Sequence, residues 1–259
     1  MRSIVFVSGS KGGTGKSILS AAILDYLDVQ QKSWFLIDTD TSNPDVWKAY
    51  CNENQDKGAT INLDSRDGWI DLVNTIETRE EECIVINTAS RLSQSTQDFS
   101  VILTEVLAEV DRSMVSAWVI NRQRDSLQLL KKHLDTMPEH TTCVFRNLFF
   151  GDIAKYTLYN NSNVKKEVES TGITLDIPEL ADRVVDQVYT ERKTFEMATG
   201  VGNPIGNRSE LQRWRRLMHA QLEQFFSFVG SQDKASKSHN KSTATKGDTA
   251  DSIKVSADN

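Results

Sequence analysis

The stretch Ser8-Gly9-Ser10-Lys11-Gly12-Gly13-Thr14-Gly15-Lys16-Ser17 decides the reading of this chain. It is close to the phosphate-loop pattern G-x-x-x-x-G-K-[ST] but has Ser10 where the first glycine belongs, followed by a second lysine, Lys11. The chemistry is nevertheless that of a phosphate cradle. Glycines at 12, 13 and 15 let backbone N–H groups turn inward around anionic oxygens. A helix starting near Lys16 points its positive end at the same place. Lys16 reaches the β and γ phosphates, and the Ser17 hydroxyl is a ligand for Mg²⁺.

The flanking sequence supplies the context such a loop requires. Ile4–Val7 is a β-branched and aromatic run that ends at Gly9, which predicts a buried first strand; Ser17–Gln31 predicts the helix that follows. Further apolar runs at Trp34–Ile37, Ile84–Ile86, Met114–Ile120 and Cys143–Phe145 alternate with helical periodicity at Trp69–Thr78, Gln97–Val110 and Asp125–Met137. Strand alternating with helix predicts an α/β fold: a doubly wound, mostly parallel sheet with helices on both faces. Asp38, Asn87 and Asn121 sit just past the C-terminal ends of their runs, at the edge where open α/β sheets bind ligands.

Beyond Gly151 the pattern is mainly helical, with one strand near Ile173–Leu175. Glu210–Val229 reads as an amphipathic helix with Leu211, Trp214, Leu217, Met218, Leu222, Phe225 and Phe226 on one side. From Ser231 to Asn259 the composition turns to Ser, Thr, Lys and Asp without an aromatic residue, which predicts a disordered polar tail. The expected organisation is therefore one domain over 1–230, with a helical C-terminal portion at 151–230, and a tail over 231–259.

Composition narrows the function classes. The chain of 259 residues is 38% hydrophobic and 25% charged, enough for a packed core. Its net charge of −6 leaves nucleic-acid contact to a local patch. Cys51, Cys83 and Cys143 are widely spaced with no CxxC pair. That argues against a disulfide framework, an iron–sulfur cluster or a zinc site, and suits a reducing cytoplasm. The N-terminal apolar run is too short for a signal peptide, and no run approaches the ~20 residues of a membrane span.

With these residues in place, Ser8–Ser17 resembles the deviant loop K-G-G-x-G-K-[ST] of the ParA/MinD group of P-loop ATPases, in which the first lysine is the signature. The resemblance covers roughly residues 1–200. It implies that Gly12, Gly13, Thr14, Gly15, Lys16 and Ser17 bind ATP. It further implies that Lys11 reaches across a homodimer to the opposite subunit's nucleotide. "FLIDTDTSNPD" is similar to the family's D-x-D segment, so Asp38 would support the Mg²⁺ shell and Asp40 would orient the attacking water. "WVINRQRDS" resembles the segment in which an asparagine, here Asn121, pairs with adenine. Lys11, Lys16 and Asp40 are the expected catalytic residues; Ser17, Asp38 and Asn87 are the expected metal site.

One position departs from the pattern. "CIVINTASRLSQ" places Asn87 where the family has aspartate, keeping an acceptor but losing the charge. Charge-assisted hydrogen bonds are roughly twice as strong as neutral ones, which points to slow hydrolysis or none. Thr88–Gln97 would be the segment that senses the γ phosphate.

Within the group, the cysteines required by nitrogenase iron proteins and iron–sulfur carriers are absent, as is the CxxC of tail-anchored-protein chaperones. "IDTDTSN" (37–43), "NLFFGD" (147–152) and "TLDIPEL" (174–180) resemble proteins of plasmid stability and conjugative transfer operons, the StbB, TraL and MobD type. That resemblance implies an ATP-dependent dimerising switch with a small operon-encoded DNA-binding or transfer protein as partner. Arg208, Arg213, Arg215 and Arg216 leave three readings of the C-terminal helix: a core helix with a solvated rim, a non-specific DNA contact, or a membrane-surface helix. Two other functions stay open, a nucleotide-binding scaffold with little hydrolysis and a metabolic ligase of the same superfamily.

Overall fold

The computed structural model describes residues 2–89, 106, 107, 109–138 and 140–244, with side chains through Gln232. Seven strands form one sheet in the order β3-β2-β4-β1-β5-β6-β7. They are β1 (Ser3–Gly9), β2 (Trp34–Asp38), β3 (Gly58–Thr60), β4 (Cys83–Asn87), β5 (Ser113–Ile120), β6 (Thr142–Asn147) and β7 (Thr174–Ile177). Every pairing is parallel, so both faces must be covered.

The alternation of side chains across each strand assigns the two faces. Val5, Val7, Leu36 and Val85 join one core with α1 (Lys16–Val29) and the C-terminal helix. Ile4, Phe6, Phe35, Ile37, Ile84 and Ile86 join a second core with Trp69, Leu72 and Ile76 of α3 (Arg66–Thr78). α4 (Arg124–Thr136) and α6 (Asn163–Thr171) cover β5 and β6 through Leu130, Leu134 and Val168. The shorter helices are α2 (Asp45–Tyr50), α5 (Thr157–Asn160), α7 (Asp182–Glu191) and α8 (Phe195–Thr199). The edge strand β3 and the helices α2, α5 and α8 carry too few residues to show a period, and α7 falls within the stretch read only as mainly helical.

The last helix, α9, spans Ile205–Ala244. Leu211, Trp214, Met218, Leu222, Phe225 and Val229 are buried at spacings of three and four. Leu217, expected on the apolar side, is instead 45% exposed, because it falls one position off that stripe. The disordered tail expected from Ser231 begins inside α9, which is helical through Ala244; 245–259 lie outside the described residues. Most of the helix expected at Gln97–Val110 and most of the sensor segment Thr88–Gln97 also lie outside them; of that helix Val106, Leu107 and Glu109 are described and are helical.

α9 is fastened to α1 by charge as well as by packing. Asp25 on α1 is buried and accepts both arms of the Arg215 guanidinium, at 2.8 and 2.7 Å. His219 Nε2 lies 2.8 Å from the same carboxylate. A second arginine of the expected basic rim, Arg213, is paired with Glu210 at 2.7 Å. Two of the four arginines are thus engaged within the fold. Among the described residues no helix is long and apolar enough to cross a membrane. The three cysteines are free and buried, and burial pushes each thiol up to about 12.

Candidate nucleotide site

The loop after β1 is built around Gly15, which caps α1 with φ +108°. That backbone angle disfavours any side chain, and a Cβ there would lie 2.4 Å from Asn147 Nδ2. Asn147, at the end of β6, donates from Nδ2 to Thr14 O at 2.8 Å and accepts from Phe149 N at 3.1 Å. Its own carbonyl accepts from Tyr156 Oη. Asn147 therefore ties the loop to β6. It belongs to the site, whereas the sequence singles out Asn147 only as the first residue of the NLFFGD resemblance, because the apolar run of that strand stops at Phe145, two residues short of the polar strand terminus.

Lys16 is buried, and its amine donates to Lys11 O at 3.1 Å inside the loop. Burial lowers its pKa, and the nearby Asp40 carboxylate opposes that shift. A desolvated ammonium facing backbone N–H groups is a strong anion receptor. Thr14 Oγ1 also donates to Lys11 O, at 3.0 Å, closing the turn.

Parallel register sets the acidic side of the site. Asp38 and Asn87 are Cα partners on β2 and β4, and Asn87 pairs in turn with Val7 on β1. Asp38 is fully buried, and burial raises its pKa to about 6. Donors from Asn87 Nδ2 (3.0 Å), Asp40 N (3.2 Å) and Trp47 N (3.3 Å) act against that shift. Asn87 Oδ1 accepts from Ser20 Oγ on α1 at 2.9 Å. Asp40 is only partly buried and accepts from Ser42 Oγ and Asn43 N within its own turn.

Gly13, Gly15, Lys16, Ser17, Asp40, Asn87 and Thr88 line one cavity of about 550 Å³ together with Asn147 and the apolar wall Ile177, Pro178 and Leu180. That volume lies in the range of small-molecule and cofactor sites. Two expected site residues point elsewhere. Asn121 Oδ1 accepts from Gln123 N at 2.9 Å in the turn leading into α4, and the residue lines a small crevice with Tyr156 and Tyr159. Lys11 is exposed and pairs with Asp125, at the start of α4, at 2.5 Å.

The donor set fits a magnesium nucleotide. The Ser17 hydroxyl and the Asp40 carboxylate are hard oxygen donors that line the cavity with the buried Lys16, while Asp38, hydrogen-bonded to Asn87, is fully buried and not part of that lining. Among the described residues no group of three or more His, Cys, Asp or Glu side chains could hold a metal. Magnesium needs no such cage, because it takes one or two carboxylates and completes its shell with water and substrate phosphates. Thr88 Oγ1 is buried without a hydrogen-bond partner among the described residues, as expected of a group whose acceptor arrives with a ligand.

Residues 5–166 match the family model described as the CobQ/CobB/MinD/ParA nucleotide binding domain. The chain is 44% identical over 223 residues to protein MobD of Acidithiobacillus ferrooxidans, covering 86% of this chain and 97% of that one. Its fold is similar to that of a proposed plasmid partition protein from Borrelia burgdorferi B31 bound to AMPPNP, with a TM-score of 0.51 and 15% identity over 86% of this chain and all of the other. It is also similar to the cell division protein MinD of Aquifex aeolicus, with a TM-score of 0.50 and 15% identity over 83% and 95% of the two chains. At these identities the solved structures speak to the fold alone.

Proposed function

Because the chain belongs to the CobQ/CobB/MinD/ParA nucleotide-binding family, we propose that it is a Mg²⁺-dependent ATPase whose two copies close on ATP, a switch serving plasmid mobilisation, maintenance or partition. The observation that carries this reading is the convergence of Lys16, Ser17, Asp40 and Asn87 on one cavity at the carboxyl edge of the sheet. The relative MobD supports the plasmid context.

ATP bound there would supply a phosphoanhydride, with Mg²⁺ neutralising its oxygens. The chain's own residues do the rest. Lys16 and the N-terminus of α1 hold the phosphate charge. Ser17 would hold the metal and Asp38 would support its shell. Asp40, which lines the cavity, would orient a water. Lys11 is exposed and held only by a surface ion pair, so it is available to a second subunit. The partner is a small DNA-binding or transfer protein of the same operon, and the setting is cytoplasmic.

Asn87 favours a second reading. Its amide carries no charge and both its polar atoms are engaged within the fold, which fits a scaffold that binds nucleotide and hardly hydrolyses it. Light scattering of wild type and Lys11→Ala, each apo, with ADP and with ATP–Mg²⁺, tests the switch. Dimer formation with ATP alone, lost in Lys11→Ala, is expected. An oligomeric state indifferent to ATP and to Lys11 would refute it. Steady-state phosphate release then separates ATPase from scaffold.

A further inference from the structure

We infer that Asn87 is a positioning residue rather than a metal-shell residue: it relays a hydrogen-bond chain from Ser20 to Asp38, and the ligand contact at this strand end is made by the Thr88 hydroxyl. The inference rests on the proposed magnesium–nucleotide site and assigns roles within it.

The chain of bonds is directional. Ser20 Oγ donates to Asn87 Oδ1 at 2.9 Å, and Asn87 Nδ2 donates to Asp38 Oδ1 at 3.0 Å. An amide has one acceptor oxygen and one donor nitrogen. Here each faces the partner it suits, so the rotamer is fixed from both sides. Ser20 and Asp38 are fully buried and Asn87 is 3% exposed, so the chain runs through the interior with only Asn87 bordering the cavity. The register makes the substitution at 87 intelligible. Asp38 and Asn87 stand directly opposite each other on parallel strands. Two carboxylates at this separation would disfavour each other's charged form. The amide removes that repulsion and supplies a donor to Asp38.

Asp38 is thereby held at a set angle by three donors, from Asn87, from Asp40 N and from Trp47 N. The residue that follows Asn87 has the opposite character. Thr88 is 2% exposed, lines the cavity, and its Oγ1 has no partner among the described residues. Its backbone is anchored by Thr88 N donating to Val7 O at 3.1 Å, so the hydroxyl is presented from a fixed frame. The polar group free to meet a phosphate oxygen or a metal-bound water on this strand is Thr88.

The test is calorimetric titration of the full chain with ADP, in EDTA and then in Mg²⁺, together with the melting temperature of each variant. Second-sphere partners of metal ligands typically change metal affinity by about 10–100-fold. Asn87→Ala should lose about tenfold of the gain that Mg²⁺ confers on ADP binding. Ser20→Ala should lose a smaller part of that gain, and the double variant should be no worse than Asn87→Ala, because both act through one chain. Thr88→Val should also lose Mg²⁺-dependent gain, yet melt no lower than wild type, since it removes an unpaired buried hydroxyl. An unchanged Mg²⁺ gain in Asn87→Ala, or additive losses in the double variant, would overturn the relay. An unchanged gain in Thr88→Val would overturn the ligand contact. A wild type that binds ADP with no Mg²⁺ gain would overturn the whole inference while leaving nucleotide binding standing. A wild type that binds no ADP would remove the underlying site itself.

Discussion

Asp38 offers a test in which a single atom pair is exchanged and pH is the variable. Its carboxyl is carried by burial from the ordinary 3.8 to about 6. The folded state therefore holds this proton more tightly than the unfolded chain does. Below pH 3.8 the group is neutral in both states and costs nothing. As pH rises the unfolded chain ionises first, and the folded state loses stability until Asp38 ionises in turn near pH 6. A shift of about two units corresponds to about 3 kcal/mol, present in full only above pH 6. Roughly 2 kcal/mol of it should fall between pH 4.5 and 7.5. Asp38→Asn removes the titration while keeping the shape. It also puts an amide hydrogen against one of the donors that serve Asp38, from Asn87, Asp40 N or Trp47 N. The absolute stability of the variant is thus a mixture of gain and loss, and the informative quantity is the change of the difference with pH. Urea unfolding of both proteins at pH 4.5 and 7.5, in EDTA and without nucleotide, measures it. The variant should gain on the wild type by about 2 kcal/mol on going to pH 7.5. A difference equal at the two pH values within about 0.5 kcal/mol would refute the placement of Asp38 as a desolvated carboxylate.

Other perturbations reach the fold and the loop separately. Asp25→Ala leaves Arg215 and His219, with side chains 17% and 21% exposed, without their carboxylate; because both retain some access to water, the expected loss is about 2–4 kcal/mol, read by calorimetry as a melting point lowered by roughly 5–15 °C. Gly15→Ala forces a side chain into φ +108° and against Asn147, so ADP binding by titration should be lost while the circular dichroism spectrum persists. Trp214→Ala empties a fully buried position beneath α9 and should cost about 3–5 kcal/mol in urea unfolding with the denaturant slope unchanged.

The parts of this molecule that sequence reveals are those where one residue type answers to one physical demand. Runs such as Ile4–Val7 are buried on both faces, so they read as apolar throughout and mark β1, β2, β4, β5 and β6. The loop at Gly12–Ser17 reads as a phosphate cradle because turn geometry and charge are local. What stayed hidden depends on register and on contacts distant in the chain. That Asn87 would lie opposite Asp38, and Ser20 behind it, follows from strand order, which the sequence does not print. Asn147 acts on Thr14 across 133 positions, and no local spacing announces it. Asn121 sits at the expected strand end but spends its side-chain oxygen on its own turn. Arg215 reads as part of a basic rim until Asp25, 190 positions away, is seen beneath it.

That last pairing makes the molecule a mechanical train. α1 begins at the phosphate loop and carries Asp25 nine residues on, about 14 Å along its axis at 1.5 Å per residue. There it is bolted to α9, whose far end runs out toward the polar tail. A load on the far end of α9 and an anion held by the loop thus pull on opposite ends of two shafts joined by this ion pair and by packing such as Tyr26 on Phe226. Neither helix can rock without dragging the other, and the amides of α1 and of the Leu211–Phe225 stretch of α9 should exchange with deuterium as one cooperative block.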